Sequence, residues 1–258
     1  MAEIDLKFKS LRVKMRLHGM SIADNVFKRY HPATRNTKGE ICVFCSSTSK
    51  ITKEHVLPRW LFENDVKSSM ISGVNKQIHT YNKAVIPACS TCNNSILAPI
   101  EKHIIEVIKR LDAFEAYFPD DFCSIIRWLE ILEYKLQVYD CRQKYIKYGN
   151  SEYDPDWGIF PVAMMRHFFE MNPLKAHDFL RSSQRRITVK AKIERINSLI
   201  VFNPLIPHFN FFVQPNEYIC VSVPMHKIAF FYFLKRKYNR YGDGWEEALH
   251  LIKKVSET

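Results

Sequence analysis

The chain has 258 residues, and its 47% hydrophobic content with 18 Phe, 12 Tyr and 4 Trp predicts a folded core and excludes wholesale disorder. Its formal net charge of +11 favours a polyanionic partner such as a nucleic acid. No apolar run is long enough to cross a bilayer and the N-terminus lacks a signal-peptide pattern, so we expect a cytoplasmic protein without a membrane anchor.

The N-terminal segment Lys7–His18 alternates apolar and basic residues. This period of two predicts a half-buried strand with a basic outer face. The basic face contains Arg12, Lys14 and Arg16. It fits either an edge strand kept soluble by charge or a strip that contacts nucleic-acid phosphates. A capping signal at Ser21 predicts that a short helix follows.

Seven cysteines are present, and four of them form two C-x-x-C pairs: Cys42 with Cys45, and Cys89 with Cys92. In a chain without a signal peptide such pairs predict metal ligands rather than disulfides. Four thiolates complete the tetrahedral coordination of Zn²⁺ and leave no open position, so the predicted zinc site is structural. The other interpretations are a coincidence of spacing and redox use of one pair. The remaining three cysteines are expected to be buried free thiols: Cys123, Cys141 and Cys220.

Between the two pairs lie the dipeptide Glu54-His55 and a polar segment, Arg59–Lys83. Lys76 and Lys83 belong to that segment, which either follows a DNA backbone or is a solvated surface loop.

The rest of the chain predicts a mixed α+β fold. Apolar residues at helical spacing predict helices over Ile100–Phe118 and Asp121–Tyr139, separated near Pro119. Two short helices are predicted after them, over Pro161–Met171 and Pro173–Arg181. Proline-punctuated apolar runs then predict four strands, and an amphipathic pattern predicts a last helix from about Gly244. The four predicted strands are Ser198–Phe202, Phe209–Val213, Tyr218–Val223 and Lys227–Phe233.

The order of the central motifs resembles that of the HNH, or ββα-metal, nucleases in their zinc-stabilised four-cysteine branch. The segments that carry the resemblance are Cys42-Val43-Phe44-Cys45, Glu54-His55-Val56-Leu57-Pro58 and Cys89-Ser90-Thr91-Cys92-Asn93. In that branch an acid–histidine segment lies between the cysteine pairs, and an Asn or His follows the second pair. The resemblance covers about sixty residues and implies a small ββα-metal domain.

The resemblance also implies roles for individual residues. His55 would be the general base that activates water for attack on a phosphodiester of DNA. Glu54 and Asn93 would hold one Mg²⁺ or Mn²⁺ ion through oxygen atoms. Glu54 and His55 are adjacent, so in extended backbone they point to opposite faces, and a bend is needed to aim both at one site.

Two further positions are interpreted by comparison with the family. Its middle asparagine, which orients the histidine, corresponds here to Ala84, so we expect Asn82, His79 or a backbone carbonyl to take that role. On a regular helix Asn93 and Glu101 lie eight residues apart on one face. Glu101 is therefore either a metal ligand or a solvated helix residue.

These observations divide the chain into three predicted segments. They are a basic N-terminal arm (1–38), a zinc-bound HNH domain (39–105) and an α+β region of unassigned role (106–258). The expected function is a metal-dependent DNA endonuclease. By analogy with free-standing HNH proteins of bacterial defence and restriction, a regulatory protein partner is expected. The alternative is an inactive zinc-stabilised module that binds nucleic acid or protein.

Overall fold

A computed structural model describes residues 2–30, 39–62, 69–71, 78–113, 118–143, 160–167, 172, 174–205 and 209–256. The helices are α1 (Ala2–Tyr30), α2 (Ser90–Cys92), α3 (Ala98–Asp112), α4 (Pro119–Arg142), α5 (Val162–Met165), α6 (Lys175–Thr188) and α7 (Tyr241–Ser256). The strands are β1 (Ile51–His55), β2 (Ser69–Ile71), β3 (Ile78–Thr80), β4 (Val85–Cys89), β5 (Leu199–Phe202), β6 (Phe211–Gln214), β7 (Tyr218–Val223) and β8 (Ile228–Phe233). All paired strands are antiparallel, and the predicted α+β class is confirmed.

The described residues belong to two compact units. The first contains residues 1–100 and 134–188, and the second contains residues 101–133 and 189–258. This division differs from the three segments predicted from the sequence, because α4 contributes residues to both units. None of the described helices combines the length and the apolar character needed to cross a lipid bilayer.

The predicted N-terminal strand is wrong, because Lys7–His18 lies inside the 29-residue helix α1. Leu11 and Met15 are buried, whereas Val13 and Leu17 are 44% and 73% exposed. Residues four apart share one helix face, so two apolar stripes on opposite faces produce the alternation that resembled a strand. The separate helix predicted to begin near Ser21 is also wrong, since α1 continues through this position.

In the first unit, α1 packs against α6. His177 Nε2 lies 3.1 Å from Asp24 Oδ1, and the His177 ring meets Phe27 edge-on at 5.6 Å between centroids. A Cβ added at Gly19 would lie 2.9 Å from the Arg181 Nη1 atom, at the far end of a side chain of α6.

The central region of this unit has ββα order. β1 and β4 form an antiparallel pair in which Glu54 lies opposite Ile86 and His55 lies opposite Val85. The connection between them contains the short hairpin β2–β3. α2 begins directly after β4, and a five-residue π turn, Asn93–Leu97, joins α2 to α3.

The second unit is built on a four-stranded sheet of order β5-β8-β7-β6. β8 is buried along its whole length, as expected for a central strand covered on both faces. Phe231 and Phe233 pack with Ala248 of α7, while the Tyr232 hydroxyl bonds Glu130 of α4. The four predicted strands and the last helix are therefore confirmed, with bounds shifted by a few residues.

Candidate metal centre and adjoining polar site

The four cysteines of the two C-x-x-C pairs form one cluster. The sulfur atoms of Cys42, Cys45, Cys89 and Cys92 all lie within 4.8 Å of one another, so they are positioned to bind a metal ion. Cys45 is partly exposed and the other three are buried. The distance between Cys45 Sγ and Cys89 Sγ is 3.6 Å. The β1–β4 pairing explains this arrangement, because it places Cys89 opposite Ile51, close to the first pair.

A tight turn shapes the first cysteine pair. The amide of Ser46 donates to the carbonyl of Cys42 at 2.9 Å, and the amide of Cys42 donates to the carbonyl of Ser47 at 2.8 Å. Ser46 adopts a left-handed conformation with φ of 59°, which reverses the chain after Cys45. The amide of Val43 donates to the Pro87 carbonyl at 3.1 Å, so this turn is anchored to β4.

Hydrogen bonds and burial shift the pKa values of three cysteines of the cluster in different directions. A hydrogen bond from Cys92 lowers the pKa of Cys42 to about 5, while burial raises the pKa of Cys45 to about 11. Hydrogen bonding to Cys42 also raises the pKa of Cys92, because Cys92 donates its proton. Among these three cysteines the thiolate form is stabilised at Cys42, and a bound metal ion would favour deprotonation of Cys45 and Cys92 as well.

The last part of α4 supports the first cysteine pair. Tyr134 is fully buried, and its hydroxyl donates to the Val43 carbonyl at 2.5 Å. Its ring also meets Phe44 edge-on at 5.8 Å between centroids. Gln184 of α6 donates to the same hydroxyl at 3.5 Å. These contacts fix the backbone between the first two cysteines.

Next to this cluster, a chain of hydrogen bonds orients Asn93. The Thr52 hydroxyl donates to the Ala88 carbonyl at 2.8 Å, so its oxygen accepts the bond from Asn93 Nδ2 at 3.1 Å. The Asn93 amide must present its NH₂ group to Thr52, which leaves the carbonyl oxygen Oδ1 available as a ligand. Thr52 therefore acts as an orienting residue for Asn93.

Glu54 lies on the same face of β1 as Thr52, since the two are two residues apart in a strand. It is only 7% exposed and forms an ion pair with Lys135 of α4, whose side chain is 1% exposed. Nζ of Lys135 contacts Oε1 of Glu54 and also donates to the His55 carbonyl at 3.2 Å. Within the part of the chain that the structure describes, no hydrogen bond reaches the second carboxylate oxygen, Oε2.

His55 ends β1 and is partly buried. The next amide, of Val56, donates to the Ala84 carbonyl at 2.9 Å in the same register as the β1–β4 pairing, so β1 is regular here and Glu54 and His55 point to opposite faces of the strand. No hydrogen bond to the His55 imidazole is found among the described residues. The imidazole is therefore available to a ligand.

The predicted substitutes for the middle asparagine have different outcomes. Ala84 is fully buried and its carbonyl bonds Val56. Asn82 is exposed in a short 3-10 helix, and no contact between Asn82 and His55 is found among the described residues. The side chain of His79 lies outside the described part of the chain. The choice between these residues stays a prediction.

The predicted alignment of Asn93, Leu97 and Glu101 on one regular helix face is wrong. It assumed 3.6 residues per turn, but the Ala98 amide bonds the Asn93 carbonyl five residues back in a π turn. Pro99 follows directly and has no N–H to donate, which favours this wider turn. Glu101 is partly exposed in the first turn of α3 and belongs to the second unit.

The predicted basic strip does not form. On helix α1, Arg12 and Arg16 lie four residues apart on one face, and Lys14 points to the opposite side. Arg16 donates to the Thr188 carbonyl at 3.0 Å. Lys83 is exposed, and Lys76 lies outside the described residues. A phosphate-binding role for any of these residues stays a prediction.

Lys135 and Thr52 are the residues of this site that sequence analysis did not identify. A signal for Lys135 is present, because the middle of α4 is apolar on all sides but still contains charged residues. A helix that is hydrophobic all round is buried, and a charge inside it requires a partner. Which partner it meets depends on contacts 81 residues apart along the chain.

Comparison of the chain with family models, with curated proteins and with solved structures finds no match. The interpretation of the site therefore depends on its own geometry.

Proposed function

We propose that the protein is an endonuclease of the HNH type that hydrolyses phosphodiester bonds of DNA with the help of Mg²⁺ or Mn²⁺. The observation that carries this proposal is the placement of three groups around the ββα core. His55 ends β1, Glu54 precedes it, and Asn93 begins the π turn after α2 while bonded to Thr52 of the same strand. Four cysteines that suit a structural Zn²⁺ ion hold the two strands and the helical start together.

The donor set fits a hard divalent cation. Glu54 offers its carboxylate oxygen Oε2. Asn93 offers its amide oxygen Oδ1, because its NH₂ group is the part that bonds Thr52. Thr52 and Glu54 lie two positions apart in extended backbone, so the residue that holds Asn93 and the residue that supplies Oε2 are about 7 Å apart along β1. A cation bound to both would stabilise the negative charge that develops on the phosphate and the leaving 3′ oxygen.

The protein's own residues supply the proton transfer and the positioning. In the neutral form the His55 imidazole accepts a proton from the attacking water at one ring nitrogen. Lys135 is a positioning residue: it holds Oε1 of Glu54 and the carbonyl of His55, so it fixes both neighbouring residues through one ammonium group. A carboxylate held in this way keeps its second oxygen for a cation.

The same ion pair favours a second candidate function, a zinc-stabilised binding module without catalytic activity. The charge of Glu54 is already compensated by Lys135, so the site is stable without a divalent cation. In this alternative the ββα core presents a surface for nucleic acid or protein and His55 performs no chemistry.

Incubation of the full-length protein with supercoiled plasmid DNA and Mg²⁺ or Mn²⁺ distinguishes the two functions. The first predicts nicking or linearisation that is lost in His55→Ala, while the zinc content and the melting temperature stay unchanged. His250→Ala is the matched control, because His250 is exposed on α7 in the second unit. Cleavage that persists in His55→Ala would overturn the assignment of the base. DNA binding without cleavage under either cation would support the binding module.

A further inference from the structure

The outer face of α1 carries an apolar stripe that no described part of the chain covers. Leu6, Val13, Leu17 and Met20 are 61%, 44%, 73% and 57% exposed. The opposite face supplies the buried residues of this helix: Phe8, Leu11, Met15, Ile22, Ala23 and Val26. α1 is thus apolar on two faces, and one of them is used within the first unit.

The spacing of the exposed stripe is that of a coiled-coil seam. Leu6, Val13 and Met20 repeat every seven residues, and Leu17 lies four residues after Val13 and three before Met20. At 100° per residue the four side chains fall within a sector about 60° wide, and the stripe is about 21 Å long. The other seam position of the first heptad is Ser10, so both seam positions are apolar only from Val13 to Met20; a stripe of this width suits one partner helix.

The residues that border the stripe are basic on both sides. Lys7 and Lys14 occupy one border, and Lys9 and Arg16 occupy the other. In a coiled coil these positions face the equivalent flanking positions of the partner helix and determine which partner is accepted. All four flanking residues are basic. Lys7 also lies 4.0 Å from Glu3, and Arg16 donates to the Thr188 carbonyl, so Lys9 and Lys14 contribute most of the positive charge that favours an acidic partner.

Three occupants can be compared on this basis. A second copy of α1 would bring lysine and arginine against lysine and arginine in either orientation, which disfavours pairing between identical chains. A lipid surface requires a broad apolar face, usually with aromatic residues, and this stripe is narrow and contains none. An amphipathic helix with acidic flanks satisfies both the seam and the charge.

We propose that the outer face of α1 is a docking site for an amphipathic helix of a partner protein, with Leu6, Val13, Leu17 and Met20 in the seam and acidic residues on the partner's flanks. The proposal is independent of the endonuclease function, since it depends on no residue of the metal centre or the adjoining polar site. In this proposal the positive charge of the face attracts an acidic protein helix and not a nucleic acid.

The test uses three designed peptides and the full-length protein. One peptide has a leucine seam flanked by glutamate, the second has the same seam flanked by lysine, and the third has the composition of the first in scrambled order. Titration calorimetry is expected to detect binding of the first peptide only, and added salt is expected to weaken it. Equal binding of the scrambled peptide would overturn the proposal, because charge alone would then explain the interaction.

Variants of the stripe complete the test. Val13→Ser with Leu17→Ser is expected to weaken binding of the acidic peptide by about tenfold or more, since two apolar side chains leave the interface. Leu174→Ser with Leu205→Ser is the matched control, because these leucines are exposed elsewhere and their loss leaves binding unchanged. Circular dichroism checks that all variants stay folded.

The same variants also test the two other possible occupants of the stripe, a second copy of the chain and a membrane surface. Sedimentation equilibrium that shows a dimer sensitive to Val13→Ser with Leu17→Ser would replace the partner helix by a second copy. Co-sedimentation with phosphatidylserine vesicles that is lost in this variant, without binding of the acidic peptide, would replace it by a membrane surface. Either result would overturn the proposal.

Discussion

The two compact units each bury a glutamate–lysine pair, and the pairs differ in how completely the carboxylate is used. In the first unit Lys135 contacts one oxygen of Glu54. In the second unit Glu130 uses both oxygens: Oε2 lies 2.6 Å from Lys192 Nζ, and Oε1 accepts a bond from the Tyr232 hydroxyl at 3.0 Å. Both oxygens of Glu130 therefore meet a partner inside the second unit, although Oε2 meets Lys192 as an ion pair without hydrogen-bonding geometry, whereas no partner of Glu54 Oε2 is found among the described residues.

The surroundings of the two pairs lead to the same conclusion. The Glu130 network continues to Arg195, which donates to the Tyr232 hydroxyl at 2.6 Å and lies over its ring at 5.4 Å. Burial lowers the pKa of Lys192, and Glu130 opposes this shift. Glu54 instead lies on the strand that carries Thr52 and His55, whose first residue, Ile51, pairs with Cys89 of the cysteine cluster. A buried ion pair does not by itself indicate a function. The groups around each pair distinguish Glu54 from Glu130.

Metal removal should have the largest effect on stability, and it should destabilise the first unit but not the second. Structural zinc sites contribute on the order of 10 kcal/mol to folding, so a strong chelator is expected to unfold the first unit while the sheet of the second unit stays protected. Hydrogen exchange measured by mass spectrometry would show the difference. Cys92→Ser is expected to lose the metal, and Cys220→Ala, a buried thiol of the second unit, should retain it. Equal loss of protection in both units would contradict this comparison.

Removal of each lysine should have the next largest effect. Lys135→Met and Lys192→Met each leave a buried carboxylate without its partner, so each is expected to lower the free energy of unfolding by about 3–5 kcal/mol in urea titrations. Mn²⁺ should restore stability to Lys135→Met, because a cation can bind Glu54 in place of the ammonium group. It should not restore Lys192→Met. Rescue of both variants, or of neither, would show that the two carboxylates are equivalent.

The last prediction concerns a gradual loss of stability at alkaline pH. Burial raises the pKa of Cys141 to about 12, above its unfolded value of about 9. The stability that this thiol contributes is therefore fully present below pH 9 and is lost as the pH rises towards 12. Cys141→Ala should make the fall in unfolding free energy shallower by about 1.4 kcal/mol per pH unit in this window. Val138→Ala, also buried on α4, should lower stability without changing the slope.

Local sequence patterns predicted the elements that depend only on residues close together in the chain. The C-x-x-C spacing predicted a metal cluster, since two residues between cysteines form a turn that points both sulfur atoms the same way. Proline punctuation and apolar runs predicted the four strands of the second unit, and helical spacing predicted α3, α4 and α7. Each of these patterns reports on a single turn or face of one element.

Tertiary structure decided which face of a helix is buried and which residues far apart in the chain come into contact. α1 resembled a strand because only packing against α6 shows that Leu11 is buried and Val13 is not. Glu54 meets Lys135 across 81 residues, and Asn93 meets Thr52 across 41, so no local pattern could pair them. The sequence by itself established a four-cysteine cluster around an acid–histidine pair. Only folding decided that a buried lysine holds the acid and that a threonine aims the asparagine, because side chains far apart in the chain become neighbours only in the packed structure.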